Sequence, residues 1–145
     1  MRSVLSTILF VLALSPLQVV ADDARLEPGE YEIQMRLELP HLEDMGASKT
    51  ATACLTGQPP YGLVVLSDNN PLAKCPISNV RRADDALTFD IICDGGNQGV
   101  ASGVFALGDN RFTGAITMKM GGKNMTMTER QIGRRVGACP HSPRS

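Results

Sequence analysis

The sequence EYEIQMRLEL, residues 30–39, alternates strictly between polar and apolar side chains. A period of two is that of a β-strand, because successive side chains point to opposite faces of a sheet. One face of this strand is therefore predicted to be buried and the other solvated. Pro28-Gly29 precedes the strand and Pro40 ends it, and such residues commonly bound strands. The stretch indicates a β protein.

Six further segments carry strand signals, and Gly, Asn or Asp occur in several of the turns between them. No convincing helical period is present outside the N-terminal apolar run. A length of 145 residues fits one domain. We expect a single all-β domain of about seven antiparallel strands in a curved meander sheet, either a partly closed barrel or a small two-sheet sandwich. The six segments are 49–55, 75–82, 87–93, 100–107, 111–120 and 123–132.

A tight turn sets the register between two of these segments. With Asp109-Asn110 as a two-residue loop, Phe105 lies directly opposite Gly114. An aromatic ring that covers a cross-strand glycine is a favourable pair. The pattern therefore predicts this contact on the buried face.

The first 21 residues have the composition of a secretory signal peptide. A basic start is followed by an apolar or small run at 4–14 and by small residues before a cleavage point after Ala21. The run is too short to anchor the chain in a bilayer, and we expect no transmembrane segment. The protein is thus expected to be periplasmic or secreted. The predicted divisions are a signal peptide at 1–21, a single β domain at 22–139 and a flexible tail at 140–145.

Four cysteines in an exported chain favour two disulfides. The segment from Cys75 to Cys93 has the pattern of a hairpin, and a three-residue loop at 83–85 places these two cysteines opposite each other. We therefore predict the pair Cys75–Cys93 and, by elimination, the pair Cys54–Cys139.

One residue conflicts with that hairpin register. That register places Val80 on the face of the sheet opposite to Leu87 and Phe89, although all three side chains are apolar. A β-bulge would reconcile the two patterns, and a different cysteine pairing would do so too.

The charge balance argues against several classes of partner. Fourteen Lys and Arg against fifteen Asp and Glu give a net charge of −1, so there is no electrostatic basis for binding nucleic acid or an anionic membrane. Hydrolase and zinc-enzyme motifs are missing, and we expect a non-enzymatic protein without a cofactor. A hydrolase, the least favoured alternative, would depend on His41 or Ser102. His41 with Glu43 and Asp44 offers one nitrogen and two oxygens to a metal, although a lone histidine in a polar loop is usually solvated.

Four methionines form the most unusual local pattern. Met118 and Met120 precede a Gly-Gly turn, and Met125 and Met127 follow it. A period of two places all four on one face of the predicted hairpin. Thioether sulfur is a soft ligand that suits Cu(I), so soft-metal binding is the alternative function. Because the same face continues into apolar residues, packing of the core is the favoured interpretation.

Several short motifs follow one another in a specific order along the chain: PGEYEI at 28–33, CLT at 54–56, Cys75, FDIIC at 89–93, Gly114 with the Met-rich strand after it, and RVGAC at 135–139. This order resembles the DUF3617 family of exported, mainly proteobacterial, envelope proteins over about residues 27–139. Members often carry Trp where this chain has Tyr31. The resemblance implies an exported bacterial protein and supplies no catalytic residues.

These observations favour an exported, non-enzymatic envelope module that binds a small ligand or a protein partner, or that has a structural role. If the curved sheet encloses a cavity, its apolar face could hold a small apolar ligand. An envelope protein is the other expected partner. The predicted apolar face comprises Tyr31, Ile33, Met35, Phe105 and Ile116.

Overall fold

The computed structural model describes residues 26–42, 46–68, 70–95, 99–120 and 125–140. The predicted signal peptide, most of the predicted tail, and Glu43 and Asp44 of the loop metal site lie outside the described residues. Within these ranges, no helix reaches the length and apolarity needed to cross a membrane. The elements are β1 (Gly29–Glu38), β2 (Ser48–Leu55), a 3-10 helix (Pro71–Lys74), β3 (Ile77–Ala83), β4 (Ala86–Ile92), β5 (Val100–Gly108), β6 (Arg111–Met120) and β7 (Met125–Gly137).

The seven strands form one antiparallel sheet in the order β2-β1-β7-β6-β5-β4-β3. The all-β fold with seven strands is thus confirmed. Strands β3 to β7 make the expected meander. The last strand, β7, then pairs with β1 of the N-terminal β1–β2 hairpin. The sequence left a partly closed barrel and a two-sheet sandwich open. The described strands form a single sheet that does not close, and β2 and β3 lie at its two edges.

Residues 56–76, here called the crossover segment, connect the two edge strands. Because β2 and β3 lie at opposite edges, this segment has to cross one face of the sheet. Its side chains Tyr61, Leu63, Val65 and Leu72 are buried in the same apolar cluster as the inward side chains of the strands. The crossover segment therefore provides the second layer of the core.

In the β3–β4 hairpin, a two-residue loop and a β-bulge together set the register that brings Cys75 close to Cys93. Ala83 pairs with Ala86, so the loop has two residues, and not the three expected from the sequence. The register then shifts by one between Ser78 and Arg81, which is a β-bulge that places Ile77 opposite Ile91. This bulge is one of the two solutions that the Val80 conflict allowed, and Val80 is exposed there.

Both predicted disulfides are confirmed. Cys75 and Cys93 join the start of β3 to the end of β4, with 5.1 Å between their Cα atoms. Cys54 on β2 is bonded to Cys139, beyond the end of β7, across the intervening strand β1. Each cross-link closes a loop of the chain and stabilises the fold by restricting the unfolded state, typically by about 3–4 kcal/mol.

Four aromatic rings form a continuous row across the buried face. Phe89 stacks on Phe105 at a centroid distance of 5.8 Å. Phe105 meets Phe112 edge-on, also at 5.8 Å, and Phe112 lies 6.2 Å from Tyr31. The chain has only four Phe and two Tyr, so most of its aromatic area is concentrated in this row.

The three phenylalanine rings of the row each lie over a glycine on the next strand. A Cβ atom added to any of these glycines would overlap the ring above it. The predicted Phe105–Gly114 contact is thereby confirmed, and the same arrangement recurs on the strands beside it. The pairs are Phe89–Gly103, Phe105–Gly114 and Phe112–Gly133.

A hydrogen-bonded junction connects the tyrosine end of the row to the rest of the sheet. The Tyr31 hydroxyl donates to the Glu27 carbonyl at 2.9 Å and lies 3.3 Å from Asn110 Oδ1. The Glu27 N–H donates to that same oxygen at 3.1 Å, and the Arg135 N–H donates to the Asn110 carbonyl. Burial raises the pKa of the Tyr31 hydroxyl, and the Arg135 charge opposes the rise, so this hydroxyl keeps its donor proton well into alkaline solution.

The ring–glycine pairs predict unequal effects of two substitutions on the same strand. Gly133→Ala places a methyl group against the Phe112 ring, whereas a Cβ at Gly137 has no heavy atom within 4 Å. We expect Gly133→Ala to lower the free energy of unfolding by about 1–3 kcal/mol. Gly137→Ala should be neutral or stabilising by less than about 1 kcal/mol, since it only reduces the freedom of the unfolded chain. Equilibrium unfolding in urea measures both, and equal losses would contradict the arrangement.

Candidate functional site

The inward apolar face is occupied by the chain itself. Tyr31, Ile33, Phe105 and Ile116 are all buried in one cluster with the apolar side chains of the crossover segment. Met35 is buried too. Four of the five residues predicted to hold a small apolar ligand therefore pack in the core together with the crossover segment.

A buried carboxylate fastens the crossover segment to the sheet. Glu129 on β7 has no exposed surface. Its two oxygens accept the backbone N–H groups of Leu66, at 2.7 Å, and of Ser67, at 2.8 Å. The Ser67 hydroxyl and the Gln131 amide also donate to it. Four donors satisfy a charge that would be costly in an apolar core without them.

Gln131, two residues further along β7, also belongs to this polar cluster. Its Nε2 donates to the Val64 carbonyl and to Glu129, at 2.7 Å each, while its Oε1 is buried without a protein partner. Neither Glu129 nor Gln131 was among the residues predicted from the sequence to form a site. The period of two that places Met127 inward also places positions 129 and 131 inward, so the signal was present in the alternation.

The outer face of the sheet is its solvated side, and its middle is uncharged. Along β5 the buried and exposed residues alternate without interruption, and the outward set continues across the paired strands. Val104 and Ile132, 58% and 57% exposed, are the most exposed large apolar side chains of the described residues. The central patch, as we call it, comprises Ala86, Thr88, Val104, Ala106, Thr113, Ala115 and Ile132.

Charged residues surround the central patch on the β1–β7 side. Arg134 pairs with Glu32 and Arg130 pairs with Glu38, each at 2.8 Å. Because both arginines are largely exposed to water, which screens their charge, the pairs contribute little to stability. An uncharged, partly apolar centre with a charged rim is the arrangement found in protein–protein interfaces.

Shallow grooves open on the central patch and extend to charged residues at its edges. One, of about 330 Å³, is lined by Ala106, Thr113 and Ile132 and also by Arg111 and Arg134. Another, of about 280 Å³, is lined by Thr88 and Val104 and also by Arg81 and Asp90. Because Ala and Thr side chains are small, the strands leave a flat surface with depressions, which suits contact with another flat surface.

The four methionines lie on paired positions at one end of the β6–β7 hairpin. Met118 pairs with Met127, and Met120 pairs with Met125. Met118 is buried in the core, Met127 packs against it, and Met125 is 47% exposed. The predicted common face is thus found for Met118 and Met127, and the group extends from the core towards solvent.

The structure does not bring together the residues named for a hydrolase. Ser102 is exposed on β5, whereas His41 follows β1, and β6 and β7 lie between those strands. Since neighbouring strands are about 4.8 Å apart, the two strands are separated by about 14 Å. Among the described residues, no group of three His, Cys, Asp or Glu is placed to hold a metal ion.

One comparison with known proteins gives a match. The model of a family described as a protein of unknown function, DUF3617, matches residues 26–139. The matched range contains all seven strands and both disulfides. Comparison with curated proteins and with solved structures gave no match.

The Glu129 cluster predicts a large difference between two glutamate substitutions. Glu129→Gln removes the charge and turns an amide towards the backbone donors of residues 66 and 67. We expect it to lower the free energy of unfolding by about 2–4 kcal/mol. Glu32→Gln, which breaks only the exposed pair with Arg134, should cost less than about 1 kcal/mol. Urea unfolding of both variants measures the difference, and losses of similar size would show that Glu129 does not fasten the crossover segment.

Proposed function

The chain belongs to the DUF3617 family, and we propose that it is an exported, non-enzymatic module of the bacterial cell envelope that binds a protein partner through the central patch. The observation that carries the proposal is the contrast between the two faces of the one sheet. The inner face is covered by the crossover segment. The outer face presents Val104 and Ile132 to solvent among the small uncharged side chains of the central patch, with Arg130 and Arg134 on either side of Ile132 along β7.

The exported part of the proposal is supported by the cysteines. All four described cysteines are paired, and none is free. Disulfides persist in oxidising compartments such as the periplasm and are rare in the cytosol. Together with the signal-like sequence at residues 1–21, they favour the bacterial envelope as the place where this protein acts.

The chemistry of the central patch indicates which partner it suits. Charged side chains are depleted at the cores of interfaces, and here they lie outside the patch, on Arg130 and Arg134. The flat surface of Ala, Thr and Val side chains matches a second flat, uncharged surface, such as one face of another β-sheet. The proposed partner is therefore an envelope protein that presents such a face.

Charge placed within the central patch tests this function. Val104→Lys and Ile132→Lys should each weaken partner association by at least about tenfold, because a buried unpaired ammonium opposes an apolar contact. Stability should change by less than about 0.5 kcal/mol, since both positions are on the surface. The measurement is photo-crosslinking from a benzoylphenylalanine at Ala106, in cells, with the products identified by mass spectrometry.

Val136→Lys is the matched control. Val136 is also an exposed β-branched residue of β7, 44% exposed, and it lies outside the central patch. The proposal expects one discrete crosslinked product that disappears in Val104→Lys and Ile132→Lys and persists in Val136→Lys. Loss of the product in all three variants, or in none, would contradict it. A product with the mass of two copies of this chain would show self-association through the central patch and would overturn the proposal of an envelope partner.

A further inference from the structure

We propose that the end of the β6–β7 hairpin binds one Cu(I) ion through the thioether sulfurs of Met118, Met125 and Met127. This inference is independent of the central patch, since it concerns a different surface of the sheet. Met120 is included in the tests because its backbone pairs with that of Met125.

The register brings these residues close to one another. Met118 and Met127 are directly opposite on adjacent antiparallel strands, where Cβ atoms are about 4.5–5.5 Å apart. Met125 and Met127 are two residues apart on β7, so they share a side of the strand. Three flexible thioether arms that start from such positions can converge on one point between them.

The burial of the three residues forms a gradient that suits a captured ion. Met118 is fully buried, Met127 is partly buried, and Met125 is nearly half exposed. An ion reaching the hairpin from solvent would meet Met125 first and could then be transferred towards the buried sulfur of Met118. The buried end of this gradient favours a soft, weakly hydrated cation.

The Met118 sulfur already makes one polar contact in the core. Asn70 Nδ2 donates to Met118 Sδ at 3.0 Å, while Asn70 Oδ1 accepts from the Leu72 N–H and so fixes the amide. A thioether sulfur has two lone pairs, and this bond occupies one of them. The second lone pair is available to a metal without breaking the contact with Asn70.

The donor set selects the metal. Thioethers are soft and uncharged, and they favour Cu(I) over Zn²⁺, Mg²⁺ or Ca²⁺, which take nitrogen or oxygen ligands. The described cysteines do not compete for the ion, because all are in disulfides. Binding is therefore expected to be specific for Cu(I) and for its chemical analogue Ag(I).

The test uses the full chain recovered from an oxidising periplasm, with both disulfides verified by mass. Cu(I) is generated anaerobically with ascorbate, and its affinity is measured by competition with bicinchoninate. We expect one Cu(I) per chain, and an affinity reduced more than tenfold in the fourfold variant Met118→Leu, Met120→Leu, Met125→Leu, Met127→Leu. Met→Leu changes conserve volume and are well tolerated in cores, so this variant should fold. Met125→Leu, at an exposed position, should weaken binding by itself.

Met35→Leu is the matched control, because Met35 is a buried inward methionine on β1, away from the hairpin. Its Cu(I) affinity should equal that of the unmodified protein. In methyl NMR spectra, Ag(I) should shift the Cε signals of Met118, Met125 and Met127 and leave that of Met35 in place. Absence of Cu(I) uptake by the unmodified protein, or uptake that persists in the fourfold Met→Leu variant, would overturn the proposal.

Discussion

The contact on which the rest of this structure depends is the close approach of phenylalanine rings to glycines on neighbouring strands. Phe89, Phe105 and Phe112 occupy space that any larger residue at the paired positions would fill. In an aromatic-poor chain, this arrangement joins three rings and Tyr31 into one row across five strands, β4 to β7 and β1. The row forms a floor on which the crossover segment packs. One sheet can therefore bury a core without a second sheet.

The crossover segment has little regular structure of its own, so its position has to be set by contacts with the sheet. The apolar contacts of Tyr61, Leu63 and Val65 are not directional. The hydrogen bonds of Glu129 and Gln131 are directional. They fix the position of the crossover segment because they are made to backbone groups of residues 64, 66 and 67. Two polar residues inside the core thus determine where the covering layer lies, and the opposite face of the sheet stays exposed to solvent.

Local features of this fold were predictable from the sequence, whereas long-range ones were not, apart from the Cys54–Cys139 disulfide, which followed by elimination. The opposition of Phe105 and Gly114 follows from a two-residue turn and the alternation beside it, and the Cys75–Cys93 pair follows from a short hairpin. The pairing of β1 with β7 joins segments about a hundred residues apart and leaves no local signal. The inward position of Glu129 was missed because a charged residue in a strand is ordinarily assigned to the solvated face, although the alternation through Met127 indicated otherwise.

The two faces of the sheet have separate roles in this account: the ring–glycine row holds the inner face closed, and the outer face is left for binding. A double-mutant cycle on Phe105 and Gly114 tests the first role most directly. If the ring and the glycine depend on each other, Gly114→Ala should cost much less in a Phe105→Leu background than in the unmodified protein. The coupling free energy from urea unfolding should then be about 1 kcal/mol or more. Additive effects of the two substitutions would contradict the account.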